Sequence, residues 1–173
     1  MNGAVIDYGL TDRAARRVTL RPVDDENWRA VADVVPLDNQ REFVAPSAAR
    51  YLLLGMREDV WRSFAVYADD AVVGHVMWGY DREDRTYWIG GMLIDAAHQG
   101  GGLGRATVLS LVRWLVDRPD CPAVRLSVDR ANTAARRLYA SVGFAELEPD
   151  EDGEIVAELT RDRAGFPSGG PSR

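Results

Sequence analysis

The spacing of apolar and polar residues changes several times along the chain, and each change predicts a different element. Residues 18–23 alternate between apolar and polar side chains, as a β-strand does. Asp24 and Asp25 are candidate caps for a helix whose apolar positions recur at helical spacing over residues 28–35. The same spacing returns after Ser47, which predicts a second helix.

Three segments rich in β-branched and aromatic residues follow, at 62–68, 71–80 and 86–95. Short acidic segments separate them, a pattern typical of antiparallel strands joined by turns. The sequence HQGGGLGRA at 98–106 comes next, with four glycines in five positions. It leads directly into a segment with a helical apolar stripe, 103–117.

The last third of the chain predicts a strand, a short helix and a hairpin. The strand covers residues 123–128, and the helix covers 132–142 with Gly143 placed to end it in the left-handed conformation. The hairpin covers 144–159 and turns at the Asp-Gly pair 152–153. These elements predict an α/β (α+β) domain with a mixed, mostly antiparallel twisted sheet of about seven strands and helices on both faces.

The length of the chain sets the domain organisation. At 173 residues and 46% hydrophobic, the sequence supports one well-buried core. We predict a single domain over residues 17–160, a peripheral N-terminal segment 1–16 and a flexible C-terminal tail 161–173. No apolar run approaches the roughly 18 residues that a membrane span needs, and the N-terminus lacks the apolar core of a secretory signal, so we expect a cytoplasmic protein with no membrane partner.

Charge and cysteine content exclude several classes of function. The chain has 21 basic and 27 acidic residues, a net charge of −6, which argues against nucleic acid and is compatible with cationic ligands. The single Cys121 excludes an internal disulfide, and with only two histidines we expect no metal site. Cys121 stands beside a proline at the start of a strand, and we do not expect it to act as a nucleophile.

The glycine-rich segment matches one kind of phosphate-binding loop and not two others. A dinucleotide-binding loop needs glycine or alanine at its sixth position, where the two possible frames have Arg105 and Thr107. A Walker loop needs a lysine, which the segment lacks. The segment does match QxxGxG, with Gln99, Gly102 and Gly104 between a strand and a helix. Glycines allow backbone amides to approach a phosphate, and a helix N-terminus adds partial positive charge.

A second motif lies in the short helix, where ANTAARRLYASVGF contains Asn132 and Tyr139. Together the two motifs, in this element order over roughly residues 18–160, resemble the GNAT superfamily of N-acetyltransferases. The resemblance implies acetyl-CoA as co-substrate, with its pantetheine arm along the strand before the loop and its pyrophosphate in the loop. Asn132 would also cap its helix in any fold. The residues implied to bind acetyl-CoA are Met92, Leu93, Ile94, Gln99, Gly100, Gly101, Gly102, Leu103, Gly104, Arg105, Asn132 and Ala135.

The resemblance also implies a direct transfer of the acetyl group to an amine. An amine with a pKa near 10.4 is only about one part in a thousand neutral at pH 7, so a proton acceptor is needed. A backbone amide on the strand ending at Ile94 is placed to stabilise the developing oxyanion, and Tyr139 is the implied general acid. The base stays unassigned, with Asp81, Glu83 and Asp95 as candidates by position alone.

The acceptor is less well determined than the co-substrate. Segments such as VTLRPVDDENW and WIGGMLID resemble the branch that acetylates diamines, spermidine and spermine, so a polyamine is the predicted acceptor. Relatives in that branch carry an acidic residue and an arginine where this chain has Gly90 and Gly91. The alternatives are another small-molecule amine (an antibiotic or amino acid), a peptide N-terminus, or a non-catalytic acyl-CoA-binding module. Members of the superfamily often form homodimers.

Several other residues allow two interpretations. Trp78, Tyr80 and Trp88 are predicted either to form an aromatic wall for a cationic amine or to pack within the sheet. The acidic segment 148–154 is interpreted as a solvated turn rather than a site for a polycation. His75 alternates with apolar residues on its strand and is predicted to be a hydrogen-bonded core histidine.

Overall fold

The computed structural model describes residues 4–149 and 152–165, which form seven strands and four α-helices. The strands are β1 (Val18–Pro22), β2 (Arg62–Ala68), β3 (Ala71–Asp81), β4 (Thr86–Ile94), β5 (Ala123–Val128), β6 (Ala145–Pro149) and β7 (Ile155–Thr160). The helices are α1 (Trp28–Ala32), α2 (Ala48–Arg57), α3 (Leu103–Val116) and α4 (Thr133–Val142).

All seven strands belong to one sheet, in the order β1-β2-β3-β4-β5-β7-β6. Every neighbouring pair is antiparallel except β4 and β5, which are parallel. The predicted fold class, a mixed and mostly antiparallel sheet of about seven strands, is therefore confirmed. No helix among the described residues is long and apolar enough to cross a membrane.

Helices cover both faces of the sheet because successive strand residues point to opposite sides. On β2, Phe64 and Val66 belong to the larger core, which α3 covers, whereas Ala65 belongs to a smaller core with Val31 of α1 and Ala48 of α2. Helix α4 packs beside α3. The larger core fixes the start of α3, and with it the glycine loop.

Strands β4 and β5 separate soon after they meet. Their only paired positions are Tyr87 with Val124 and Trp88 with Arg125, so the rest of both strands diverges and leaves a cleft. Parallel strands that share no further backbone hydrogen bonds expose N–H and C=O groups to whatever occupies the gap. Strand β4, which forms one side of the cleft, leads along the chain into the glycine loop.

Strand β4 also contains a bulge beside the cleft. His75 on β3 pairs with Leu93 and Met77 pairs with Gly90, so β4 has one residue more than β3 between these pairs. Within the bulge Gly91 has φ +56°, and a Cβ there would lie 3.0 Å from His75 Cε1. Position 91 therefore requires glycine for its backbone conformation and for space.

The first helix differs from its prediction. Helix α1 begins at Trp28 with Asn27 as its N-cap residue, rather than being capped by Asp24 or Asp25. Asp24 instead forms a turn with Asn27: its carboxylate accepts from the Asn27 amide at 3.0 Å, and the Asn27 side chain accepts from the Asp24 amide at 3.0 Å. This reciprocal pair closes a turn that precedes the helix.

The two ends of the domain pack more closely than the predicted boundaries suggest. Ile6, in the segment predicted to be peripheral, is 2% exposed and exchanges two backbone hydrogen bonds with Leu20 of β1. At the other end, residues 161–164 of the predicted tail form a 3₁₀ turn that packs against β7 and α3. The rest of that predicted tail, residues 166–173, lies outside the described residues.

Candidate active site

The cleft between β4 and β5 opens into a cavity of about 290 Å³. The diverging halves of both strands form two of its walls, and α4 closes a third. Residues of α2, of the segments flanking it and of the β6–β7 turn complete the lining. The lining includes Phe43, Tyr51, Trp61, Met77, Trp88, Gly90, Gly91, Met92, Leu126, Ser127, Asp129, Asn132, Ala135, Tyr139 and Glu154.

Tyr139 reaches this cavity from the middle of α4. Its ring packs against Phe144 with a centroid distance of 6.0 Å, and Gly143 between them ends the helix at φ +114°. Burial raises the pKa of Tyr139 to about 12, and the nearby Tyr51 adds to that rise. The hydroxyl group therefore keeps its proton at neutral pH, which is the state that a general acid needs.

Tyr51 is a second tyrosine in the cavity, and the sequence alone did not indicate it. Its hydroxyl accepts a hydrogen bond from the Ala45 amide at 3.1 Å, so the hydroxyl proton stays available for donation. Its ring stacks on His75 with a centroid distance of 5.6 Å and an interplanar angle of 2°. Burial raises the pKa of Tyr51, and the charge of Glu154 contributes to that rise.

His75 lies beneath the bulge and is completely buried. Its Nδ1 lies 2.6 Å from the Gly91 carbonyl oxygen, which can only accept, so Nδ1 carries the proton. Its Nε2 then accepts from the Ser63 hydroxyl at 2.9 Å. Desolvation lowers the pKa of His75 to about 4, so the ring stays neutral near pH 7. This geometry is that of a hydrogen-bonded core histidine that holds the bulge in place.

None of the residues 99–105 lines the cavity, but the glycine loop adjoins it through Met92, which lines the cavity and packs against Gly104. Gly100 and Gly102 both have φ +85°, and Gly102 is the N-cap residue of α3. A Cβ on Gly104 would lie 3.0 Å from Leu138 Cδ1 and 3.5 Å from Met92 Cε. The first turn of α3 therefore packs tightly against both β4 and α4, and its free amides lie next to the cavity.

The side chain of Gln99 holds the loop through contacts within the protein. Its Nε2 donates to the Ile94 carbonyl at 2.8 Å and to Gln40 Oε1 at 2.7 Å, while Gln40 Nε2 donates back to Gln99 Oε1 at 2.8 Å. The amide group of Gln99 is thus used in positioning the loop. Arg105 contacts the Ser141 carbonyl at 3.5 Å, at the end of α4.

The other sequence-predicted cofactor residues divide into two groups. Met92, Asn132 and Ala135 line the cavity, although Asn132 Oδ1 also accepts from the Ala135 amide at 3.2 Å and so caps α4. Leu93 and Leu103 point their side chains into the two cores and offer only backbone groups to a ligand. The cap and the cavity position of Asn132 occur together, so its two predicted roles are compatible.

None of the three candidate bases lines the cavity. The Asp95 carboxylate accepts from the amides of Ala97 at 3.0 Å and Val35 at 3.2 Å, and so fixes the start of the loop. The Asp81 carboxylate accepts from the Glu83 amide at 2.8 Å within the β3–β4 turn, where Glu83 is exposed. These residues lie at strand ends, as predicted, but they point away from the cleft.

Two other acidic residues, Asp129 and Glu154, do line the cavity, and neither was predicted from the sequence as a base. Asp129 follows β5, and its carboxylate accepts from the Ala131 amide at 2.7 Å. Glu154 belongs to the acidic segment 148–154 that was interpreted as a solvated turn, yet it lies in the cavity near Tyr51. Glu154 reaches the cavity because Ile155, the first residue of β7, pairs with Val128 at the end of β5, which no local pattern in that segment indicates.

The predicted aromatic wall is only partly correct. Trp88 lines the cavity, but Trp78 and Tyr80 point to the opposite face, where they contact Tyr87. The register explains the difference: Gly79 lies opposite Trp88, and directly opposite residues share a face.

The ring of Trp61 lies close to position 90, where relatives in the polyamine branch carry a charged side chain and this chain has glycine. A Cβ on Gly90 would lie 3.2 Å from the Trp61 ring and 3.2 Å from Met77 Cε. The indole of Trp61 thus fills the space that a larger residue at position 90 would need. A carboxylate at position 90, as the resemblance implies, would require the Trp61 ring and Met77 Cε to move aside.

Cys121 does not resemble a nucleophile. It is 1% exposed, its thiol donates to the Ala123 carbonyl at 3.5 Å, and burial raises its pKa to about 11. Among residues 4–149 and 152–165, no group of three or more metal-ligating side chains is close enough to hold a metal ion.

Three features define the N-acetyltransferase class of α/β proteins: a sheet divided between β4 and β5, a glycine loop at the N-terminus of the following helix, and a partly buried tyrosine beside the gap. Residues 25–144 match the Acetyltransferase (GNAT) family. The chain belongs to this family, whose members use acetyl-CoA as acetyl donor.

Individual relatives within the family are similar to this chain over part of their own length. The chain is 33% identical over 154 residues to the mycothiol acetyltransferase of Salinispora arenicola, covering 79% of this chain and 45% of the relative. The chain thus spans about half the length of the curated relatives it matches.

Solved structures confirm the fold. Mycobacterium smegmatis RimJ in complex with CoA-disulfide superimposes with a TM-score of 0.74 at 20% identity, covering 94% of this chain and 90% of RimJ. Spermidine N-acetyltransferase from Vibrio cholerae, in complex with CoA and spermine, gives a TM-score of 0.67 at 18% identity, with coverages of 85% and 97%. The family predicted from the sequence is therefore confirmed, while the spermidine acetyltransferase is similar in fold at 18% identity and does not establish the acceptor.

Proposed function

We propose that the protein is an acetyl-CoA-dependent N-acetyltransferase that acts on the primary amine of a small cationic molecule. One observation carries the proposal: a protonated tyrosine, Tyr139, and a carboxylate, Glu154, line the same cavity, at the divided end of the sheet and beside the glycine loop. The first group can supply a proton to a leaving group and the second can attract and deprotonate an ammonium group.

The chain's own groups suit the donor. Exposed backbone groups on the diverging part of β4 are available to an extended amide-bearing arm, and the loop amides and the α3 N-terminus suit a diphosphate. Met92 of β4, the cap residue Asn132 and Ala135 of α4 line the cavity beside this part of β4. Bound acetyl-CoA supplies the acetyl group as a thioester.

The acceptor side of the cavity combines negative charge with aromatic surface. Glu154 and Asp129 are its carboxylates, and Trp61 and Trp88 are its two indoles, with Phe43 and Tyr51 as further aromatic side chains. An ammonium group near a carboxylate and an indole face gains both electrostatic and cation–π attraction. The arrangement favours a protonated primary amine over a neutral or anionic acceptor.

Proton movement can be assigned to two residues. Glu154 takes a proton from the ammonium group, directly or through water, so that the neutral nitrogen can form the new bond to the acetyl carbon. Tyr139 holds a proton at Oη and gives it to the sulfur as the carbon–sulfur bond breaks. The nitrogen loses its second proton as the amide forms, and that proton returns to the Tyr139 oxygen through water. The proton held by Glu154 passes to solvent, so each turnover releases one proton.

Two acceptor types are supported by different observations. The curated relatives are mycothiol acetyltransferases, which makes the unacetylated precursor of mycothiol one candidate, with its reacting amine in the cavity near Glu154. A linear polyamine is the second candidate, because a more open groove of about 690 Å³ shares Trp88 with the cavity and includes Glu148. The other two carboxylates of the groove, Asp84 and Glu146, are paired with Arg125 and Arg136. A distal ammonium group could lie in that groove while the reacting amine lies near Glu154.

The substitution Glu154→Gln tests the acceptor site. We expect the KM for the acceptor to rise on the order of 10-fold, because an ion pair is lost, while the Kd for CoA stays unchanged. Steady-state kinetics and calorimetry measure the two quantities. Glu148→Gln is the matched control, because Glu148 is on the same hairpin but lines the neighbouring groove. It should leave the KM unchanged for an acceptor that lies in the cavity alone and raise the KM for a polyamine that extends into the groove. An unchanged KM in Glu154→Gln would remove Glu154 from acceptor binding.

The activity itself is tested by thiol release from acetyl-CoA with a panel of amines. The panel contains the unacetylated precursor of mycothiol, spermidine, spermine, an aminoglycoside, amino acids and short peptides. Saturable release with one of them supports the proposal and identifies the acceptor class. Binding of acetyl-CoA with no release for any amine would instead support the non-catalytic acyl-CoA-binding alternative.

A further inference from the structure

The N-terminal segment predicted to be peripheral forms a tight turn beside the glycine loop. The turn covers residues 12–16 and is organised by the buried carboxylate of Asp12. Asp12 Oδ1 accepts from the amides of Ala14 and Arg16, both at 2.9 Å, and Oδ2 pairs with the Arg16 guanidinium at 2.7 Å. A backbone hydrogen bond from the Asp12 amide to the Arg16 carbonyl, at 3.0 Å, closes the turn. The turn is therefore a rigid unit despite its exposed position.

One residue of this turn, Arg13, makes two hydrogen bonds to the loop. Its backbone amide donates to the Gly101 carbonyl at 2.8 Å, and its guanidinium Nη1 donates to the Gly100 carbonyl at 3.1 Å. The loop residue Gly102 packs against the same side chain, since a Cβ there would lie 3.9 Å from Arg13 Cγ. Arg16 and Arg17 are instead paired with Asp12 and Asp7.

These contacts act on the part of the loop that has the greatest conformational freedom. Three successive glycines lose more backbone entropy on ordering than any other sequence of that length. Successive backbone carbonyl and amide groups in such a loop share the same peptide planes, so fixing the carbonyls of Gly100 and Gly101 also fixes the directions of the next two amides. Those amides lead directly into the first turn of α3.

We propose that Arg13 is a positioning residue for the diphosphate group of CoA. By holding two loop carbonyls, it orders the amides of Gly101 and Gly102 before the diphosphate binds, so that less entropy is lost on binding. The inference rests on the proposed function, because it requires CoA to bind at this loop. It also gives the N-terminal segment a role that its sequence does not indicate.

Calorimetry and hydrogen exchange on the whole chain test the proposal. In Arg13→Ala we expect the Kd for CoA to rise roughly 3- to 20-fold, the loss expected for one hydrogen bond from a charged donor. We expect the Kd for pantetheine, which lacks the diphosphate, to stay unchanged. In the absence of any ligand the amides over residues 100–104 should exchange faster than in the wild type. Arg13→Lys, which keeps the charge and a donor, should restore part of the affinity.

The controls separate this inference from the proposed function. Arg17→Ala removes an arginine of the same segment that pairs with Asp7 and does not contact the loop, so its Kd for CoA should match the wild type. An unchanged Kd in Arg13→Ala, with the wild type binding CoA, overturns the positioning role alone. Weaker CoA binding with unchanged exchange in the free protein also overturns it, because that result indicates a direct contact with phosphate. Failure of the wild type to bind CoA overturns the proposed function and this inference together.

Discussion

Replacing Tyr139 by phenylalanine is expected to lower kcat by about 10- to 10⁴-fold while leaving the Kd for CoA unchanged. The ring and its packing against Phe144 are kept, so the substitution removes only the hydroxyl group and the proton it would donate. Burial raises the pKa of Tyr139 to about 12, so the wild-type hydroxyl stays protonated up to about pH 11 and should cause no fall in rate below that pH. Steady-state kinetics at saturating substrates, together with calorimetry for CoA, measure both quantities.

Two further tyrosine variants make this test specific. Burial also raises the pKa of Tyr8 to about 12, but Tyr8 bonds to Asp117 away from the cavity, so Tyr8→Phe should keep the full rate. Tyr51→Phe removes the other tyrosine hydroxyl group of the cavity but keeps the ring on His75. If kcat falls in Tyr51→Phe and not in Tyr139→Phe, the general acid is Tyr51 and the role inferred from the sequence motif is wrong.

Most of the fold could be predicted from local patterns. Strand alternation, helical spacing and turn residues are properties of adjacent residues, and they located β2, β5 and α3 to within a residue or two. Helix α2 begins after Ser47 as predicted, although the Ser47 side chain makes no capping hydrogen bond, and Gly143 ends α4 in the left-handed conformation as predicted. The start of α1 was less accurate, since the Asp24 carboxylate bonds the Asn27 amide instead of capping a helix.

The glycine loop was the most predictable part of the site because all its chemistry lies in consecutive residues. The acceptor side was not predictable in this way. Tyr51, Trp61 and Glu154 come from a helix, a loop and a hairpin that meet only in three dimensions. Trp88 and Trp78 have similar sequence surroundings, and only the pairing of β3 with β4 shows which of them faces the cavity.

The structure also explains the two glycines that depart from the polyamine branch. Gly90 is covered by the Trp61 ring, and Gly91 has a backbone conformation that favours glycine. The Trp61 indole occupies the space beside position 90, and the bulge in β4 gives position 91 a backbone conformation that favours glycine. The acidic group that handles the amine is thus expected from the β6–β7 hairpin, at Glu154, rather than from β4.

His75 gives the second large effect, in the stability of the fold against acid. Desolvation lowers the pKa of its folded-state ring to about 4, compared with about 6.5 in an unfolded chain. Above pH 6.5 neither state binds the proton, so the full stability is present. Between pH 6.5 and 4 the unfolded state binds a proton that the folded state does not, and the free energy of unfolding falls as the pH falls. Between pH 7 and pH 5 the expected loss is about 2 kcal/mol, since one pKa unit corresponds to about 1.36 kcal/mol.

Urea unfolding of the wild type and of two single histidine variants measures this loss. His75→Asn keeps a donor for the Gly91 carbonyl but cannot titrate, so it should be less stable at pH 7 and nearly independent of pH between 7 and 5. His98→Asn removes the other histidine of the chain, which is partly exposed, and should keep the wild-type pH dependence. A His75→Asn protein that still loses about 2 kcal/mol over this interval would show that another group controls the acid response. A flat wild-type profile would show that the folded state binds this proton as readily as the unfolded state does, and that desolvation of the buried ring does not control the acid response.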